Sequence, residues 1–126
     1  MPRYWTVEAA RAALPEARRL VSELRSLLRR QAAGQTQPQR LIAGRSVNGH
    51  GPAHGAPGFE TAVKEAMERI QAMQFQVKDV EAGLIDFPYL RHSEAVLLCY
   101  REGEPDILFW HDLEGGFAGR RPLSEL

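Results

Sequence analysis

Three apolar patterns follow one another along the chain. Leu14, Ala17, Val21, Leu24 and Leu28 recur in alternating steps of three and four, with Leu20 and Leu27 widening the stripe. That period puts them on one face of a helix. Thr6, just ahead of Val7-Glu8-Ala9-Ala10, is placed as an N-cap, and Glu8 lies where a carboxylate favours the helix dipole. Pro15 biases Leu14 away from helical angles. The pattern therefore predicts a kink, or a short helix followed by a longer one, ending near Ala33-Gly34. Phe59, Val63, Ala66, Ile70 and Met73 then step by four and three as a heptad seam of coiled-coil type. Glu60–Lys64 and Glu65–Arg69 stand in the favourable (i, i+4) order. Two helices with matching seams predict an antiparallel helical hairpin.

After Met73 the pattern allows two readings. The seam can continue through Val77 and Val80, or Phe75–Val80 can form a strand, followed by a Glu81-Ala82-Gly83 turn and Leu84-Ile85-Asp86-Phe87. The extended reading is preferred, with Pro88 ending that strand or placing it at an edge. Further on, Ala95–Tyr100 and Asp106–His111 flank Arg101-Glu102-Gly103-Glu104-Pro105. This reads as a β-hairpin with Gly103 available for a positive φ. Alternation sends Ile107, Phe109 and His111 to one face and Leu108 and Trp110 to the other, while Val96, Leu98 and Tyr100 oppose Ala95, Leu97 and Cys99. Both faces of the ribbon are apolar, and each large side chain left in water forgoes roughly 1.5–3 kcal/mol. The helices can cover one face. The other needs the C-terminal tail, through Leu113, Phe117 and Leu123, or a second subunit. On this reasoning a homo-oligomer is expected, most simply a two-fold dimer. Residues 113–126 read as mostly irregular.

These elements define an α+β fold: an antiparallel helical hairpin packed on a small antiparallel β-sheet. One domain spans 1–126, with a helical arm at 1–33, a flexible linker at 34–58, a second helix at 59–74 and a β-rich part at 75–126. The linker is assigned from six Gly, three Pro and no acidic residue. His50 and His54 lie four apart within it. Glycine and proline surround them, so the reading gives them no helix and no metal pair.

Composition sets limits on function. The 126 residues carry 16 basic and 16 acidic side chains, which disfavours a whole-molecule nucleic-acid binder. The balance hides an asymmetry: residues 1–58 hold nine Arg and three Glu, and residues 59–126 hold seven basic and thirteen acidic residues. Arg11, Arg18 and Arg25 recur every seven positions and Arg29 extends the stripe. It reads either as a phosphate-binding face or as a helix face answered by the acidic half, and the second is preferred. One cysteine excludes an internal disulfide. No run is long enough for a membrane span, and the first residues show no secretion signal, so a cytoplasmic protein is expected.

Val77-Lys78-Asp79, Gly83-Leu84-Ile85-Asp86-Phe87-Pro88, Leu98-Cys99-Tyr100, Gly103-Glu104-Pro105, Phe109-Trp110-His111 and Gly116-Phe117-Ala118-Gly119-Arg120 occur in an order and spacing that resembles the bacterial domain-of-unknown-function 2203 family. Trp5-Thr6-Val7-Glu8-Ala9-Ala10 followed by Leu14-Pro15 is similar to that family's start. Tyr100 stands where members typically carry Trp, and Gln74 where Gly is expected. The resemblance supplies no activity.

The polar residues inside these motifs are Asp86, Glu104, His111 and Arg120, with Cys99 beside them. Together they suit acid–base work on a bound anion, or a divalent metal held through Asp86, Glu104 and His111. The alternative is bracing: Glu104 within its own turn, Arg120 paired with Asp86 or Glu104, and His111 on a backbone carbonyl. Cys99 reads as buried and inert. The leading expectation is a non-enzymatic oligomeric binding or interaction module, taking a protein partner or small anionic ligand. The alternative is a small metal-binding protein or enzyme using the cluster. A third is nucleic-acid or ribosome binding through the Arg stripe. No cofactor is expected beyond a possible divalent metal, and no membrane.

Overall fold

The computed structural model describes residues 3–35 and 50–126, with side chains for 3–33 and 58–126. Two helices, α1 (Val7–Gln35) and α2 (His50–Met73), precede a sheet of β1 (Gln76–Asp79), β2 (Leu84–Arg91), β3 (Glu94–Arg101), β4 (Phe109–Asp112) and β5 (Arg121–Pro122). The strands are antiparallel in the order β1-β2-β3-β4-β5, a plain meander. This is the α+β arrangement of a helical hairpin on a sheet. Among the described residues, no helix is long and apolar enough to cross a membrane.

Thr6 caps α1, its hydroxyl accepting the Ala9 N–H at 3.0 Å. Pro15 does not divide the helix, which runs unbroken through it. The ring lies on the exposed side, where water can satisfy the carbonyl its missing N–H frees. Ala10, Leu14, Ala17, Leu20, Val21, Leu24 and Leu27 are buried against Ala66 and Ile70 of α2, while Leu28 lies at the exposed edge of the stripe. Arg3 reaches the Met73 carbonyl and Arg69 reaches Glu23, so the helices run antiparallel. Arg69 thus bridges the two helices rather than only serving its own.

The start of α2 differs from the pattern-based expectation. The helix begins at His50 rather than near Phe59, so the backbone at His50 and His54 is helical after all. Pro52 falls in the first turn, where an N–H has no partner to lose. The side chains of both histidines lie outside the described residues, as do residues 36–49 of the expected linker. At its other end α2 stops at Met73. Gln74 follows at φ 65, its N–H donating to the Ile70 and Gln71 carbonyls. That is the left-handed position where glycine closes helices at least cost, which is the physical sense of the Gly expected there.

The chain past Met73 is extended. Pro88 sits inside β2, yet β1 pairs only with residues 84–86, so Pro88 lies beyond its neighbour's end. There the Trp5 N–H donates to the Pro88 carbonyl at 2.7 Å, and the N-terminal approach takes the place of a strand. His92 and Ser93, at φ 50 and 70, make the two-residue β2–β3 turn, a hairpin the pattern did not reveal. Gly103 does adopt a positive φ, 106, in the next turn. That turn is longer than expected, because β4 starts at Phe109 rather than Asp106. Ile107 precedes the strand and is buried in the core, with its carbonyl held by Arg11.

Register assigns the faces. Ile85 and Phe87 of β2, Val96, Leu98 and Tyr100 of β3 and Trp110 of β4 share one face and belong to the core shared with the helices. Asp86, Leu97, Cys99 and His111 lie on the opposite face, and they too are buried. There the Arg120 guanidinium lies 4.2 Å from the Phe109 ring and 4.5 Å from Phe117, while its Nη2 donates to the Cys99 carbonyl. The single chain therefore covers both faces of the ribbon at these positions. A second subunit is not needed for the burial that suggested one.

Candidate metal centre

Two of the four residues singled out above come together on the sheet face away from the helices. Asp86 and Cys99 are direct cross-strand partners on β2 and β3, and His111 on β4 pairs with Leu97, one diagonal step from Cys99. Asp86, Cys99 and His111 each offer a ligand atom, and these atoms lie within 4.8 Å of one another. Their exposures are 1%, 0% and 4%.

The hydrogen bonds fix what each atom can do. His111 Nδ1 lies 2.8 Å from the Asp112 carbonyl, which can only accept, so Nδ1 carries a proton. Nε2 then faces Asp86 Oδ2 at 3.2 Å. Two acceptors at that distance need a proton or a cation between them. Asp86 Oδ1 is buried without a hydrogen-bond partner among the described residues. Lys78 Nζ, on a half-exposed side chain, stands 3.9 Å from Oδ2. The Nδ1–H to carbonyl bond is the usual support of a metal-ligating imidazole, which leaves Nε2 free to bind.

Burial, and then the Asp86 carboxylate, push the Cys99 thiol up from its ordinary 9.0 to about 12. Without a metal it is a neutral thiol and a poor nucleophile. The folded protein keeps this proton where the unfolded chain loses it. The stability this supplies is complete below about pH 9 and is lost as pH rises through about 12. The slope is on the order of 1.4 kcal/mol per pH unit. Denaturant midpoints of metal-free wild type and Cys99→Ala, measured across that window, should converge as pH rises. Parallel curves would contradict the insulated thiol.

Glu104 and Arg120 form a separate unit. Arg120 Nη2 donates to Glu104 Oε1 at 2.7 Å, and the same oxygen accepts the Arg101 N–H at 2.8 Å. Burial opposes the Glu104 carboxylate, but those hydrogen bonds outweigh it and hold the carboxyl below its usual range. These two residues brace the β3–β4 turn and pin the tail. Glu104 is thus not the third member of the trio, and Cys99 takes that place. The signal that identifies Cys99 is the two-residue turn at His92-Ser93, because it sets Asp86 opposite Cys99.

The arginine stripe is largely internal. Arg11 holds the Ile107 carbonyl and Asp106, Arg25 pairs with Glu102 at 2.7 Å, and Arg29 pairs with Glu81 at 2.6 Å.

The fold and its buried Asp–Cys–His trio define a two-layer α+β domain with a closed polar centre beneath its sheet. A family model described as an uncharacterized conserved protein, DUF2203, matches residues 3–123, and the chain belongs to that family. No curated protein and no solved structure matches it.

Proposed function

We propose that the protein is a small cytoplasmic binding module, not a catalyst, whose Asp86, Cys99 and His111 hold one divalent transition-metal ion. The observation that carries this is the buried Asp86 carboxylate, with Oδ1 unpartnered among the described residues and Oδ2 facing Nε2 of His111. A thiol, an imidazole and a carboxylate together favour zinc over magnesium or calcium. Two ligand atoms at about 2.0–2.1 Å from a tetrahedral ion stand roughly 3.3 Å apart. The 3.2 Å between Nε2 and Oδ2 already matches. The fourth position would take water or an outside donor. Exposure of 4% or less suits an ion better than a substrate. A reducing cytoplasm keeps the lone thiol available. One chain suffices, so self-association is no part of this reading.

Elemental analysis of protein purified without chelator should find about one zinc or similar ion per chain. Cobalt(II) added to the metal-free protein should produce thiolate-to-metal charge-transfer absorption. Cys99→Ser should abolish that band, and Glu104→Gln should keep it. Wild type with neither bound metal nor cobalt band, or a band that survives in Cys99→Ser, sinks the proposal.

A further inference from the structure

A second site lies on the helix side of the sheet, and it depends on nothing in the metal reading. A cavity of ≈ 340 Å³ is lined by Pro15, Arg18, Arg19, Ser22, Arg25 and Glu102. Steps of three and four bring Arg18, Ser22 and Arg25 onto one face of α1. Three guanidinium groups and one carboxylate line it, and two of the three guanidiniums are answered by carboxylates.

The arginines differ in what holds them. Arg19 is paired with Glu16 and Glu23. Arg25 is largely buried and fixed by Glu102 and by the carbonyls of Val80 and Glu81. Arg18 has no hydrogen bond or ion pair among the described residues; its guanidinium stands 5.7 Å over the Tyr100 ring. It is the one member of the stripe Arg11, Arg18, Arg25 without an acceptor among the described residues.

Beneath it, a small cavity of ≈ 10 Å³ is shared by Arg18, Glu102 and Tyr100. Tyr100 is 1% exposed, and its hydroxyl has no hydrogen-bond partner among the described residues. A free guanidinium, a fixed one and the Ser22 hydroxyl thus gather around one opening, with the Tyr100 phenol buried beneath Arg18 in the smaller cavity. Its volume lies near the lower end of the ~300–1,000 Å³ of small-molecule sites.

We infer that this opening binds the oxyanion of a small metabolite, a phosphate monoester or a carboxylate, through bidentate donation from Arg18 with Arg25 held ready beside it. Planar guanidinium forks match both anions, and a fixed partner lowers the entropy cost of binding. The size excludes a polymer chain from the cavity itself.

The test titrates inorganic phosphate and, separately, succinate into the full-length protein, following amide and arginine side-chain NMR shifts. One saturable site is expected for at least one probe. Saturation by phosphate alone assigns the phosphate class, and by succinate alone the carboxylate class. Arg18→Ala should weaken the successful probe at least tenfold with the melting temperature nearly unchanged, because Arg18 makes no hydrogen bond or ion pair among the described residues and stands only 5.7 Å over the Tyr100 ring. Arg18→Lys should recover little of that loss, since an ammonium lacks the fork. Arg29→Ala, on the same helix but paired with Glu81, should leave binding within twofold. Absence of saturation by both probes overturns the inference, and so does equal weakening in Arg18→Ala and Arg29→Ala. Cys99→Ser should bind the anion normally, so a failed metal proposal and a failed anion proposal give different results.

Discussion

His111→Ala should destabilise the metal-free protein by about 3–5 kcal/mol, the range for leaving a buried carboxylate without its partner. The cause is not the lost ring packing alone. Asp86 would lose the Nε2 contact at Oδ2, leaving the Cys99 thiol beside it and Lys78 at 3.9 Å. For a chain of this size the melting temperature should fall by on the order of 10 °C or more. Stability alone does not separate a brace from a ligand, since both roles predict a loss. Asp86→Asn separates them. Because His111 Nδ1 donates to the Asp112 carbonyl, Nε2 of the neutral ring is an acceptor, and an Asn amide can donate to it. The metal-free Asp86→Asn protein should therefore be as stable as wild type or more so, while metal uptake disappears. If Asp86→Asn unfolds as readily as His111→Ala, the carboxylate is part of a structural ion pair. If it still takes up metal, Asp86 is no ligand.

The elements were legible in the sequence to different depths. The seams of α1 and α2 could be read because one helix face is buried and the other solvated, which writes a clear period. The helical start at His50 could not, since Gly51, Pro52, Gly55 and Pro57 argue locally for a loop. Tyr89-Leu90-Arg91 was missed as strand because Pro88 suggested an end, and only the fold shows that β1 has stopped before reaching it. That omission hid the His92-Ser93 turn, whose residues take left-handed angles without a glycine to announce them. Register depended on that turn, and the site depended on register. Asp86 and His111 could be named from their place in apolar strands, but Cys99 could not be joined to them until pairing was known. Glu104 and Arg120 looked equally functional in sequence. Their pairing across a turn and tail is a tertiary fact that spacing does not encode. The charge asymmetry implies that the arginine stripe is answered from the acidic half, as Asp106, Glu102 and Glu81 do, and the exception, Arg18, is visible only once each partner has a position.

Phe87→Ala should cost about 3–5 kcal/mol, the range for removing a fully enclosed aromatic ring. Phe87 is 0% exposed. Its ring meets Trp5 edge-on at 5.0 Å and stacks on Phe75 at 5.6 Å. Trp5 is itself tied twice, its backbone N–H to the Pro88 carbonyl and its indole N–H to the Gln74 carbonyl. Phe87 is therefore where the N-terminal approach, the exit from α2 and strand β2 meet. Total stabilities of small domains lie at about 5–15 kcal/mol, so this one change removes a large share. Phe87→Leu keeps most of the volume and should cost clearly less. Urea unfolding of the metal-free variants should show a lower midpoint for Phe87→Ala with an unchanged slope. A loss below about 1 kcal/mol would mean that Trp5 and Phe75 collapse into the space. In that case the three segments are not rigidly joined at this ring. The strand that presents Asp86 would then be held by its ladder with β3 rather than by the core beneath it, and His111→Ala should cost correspondingly less.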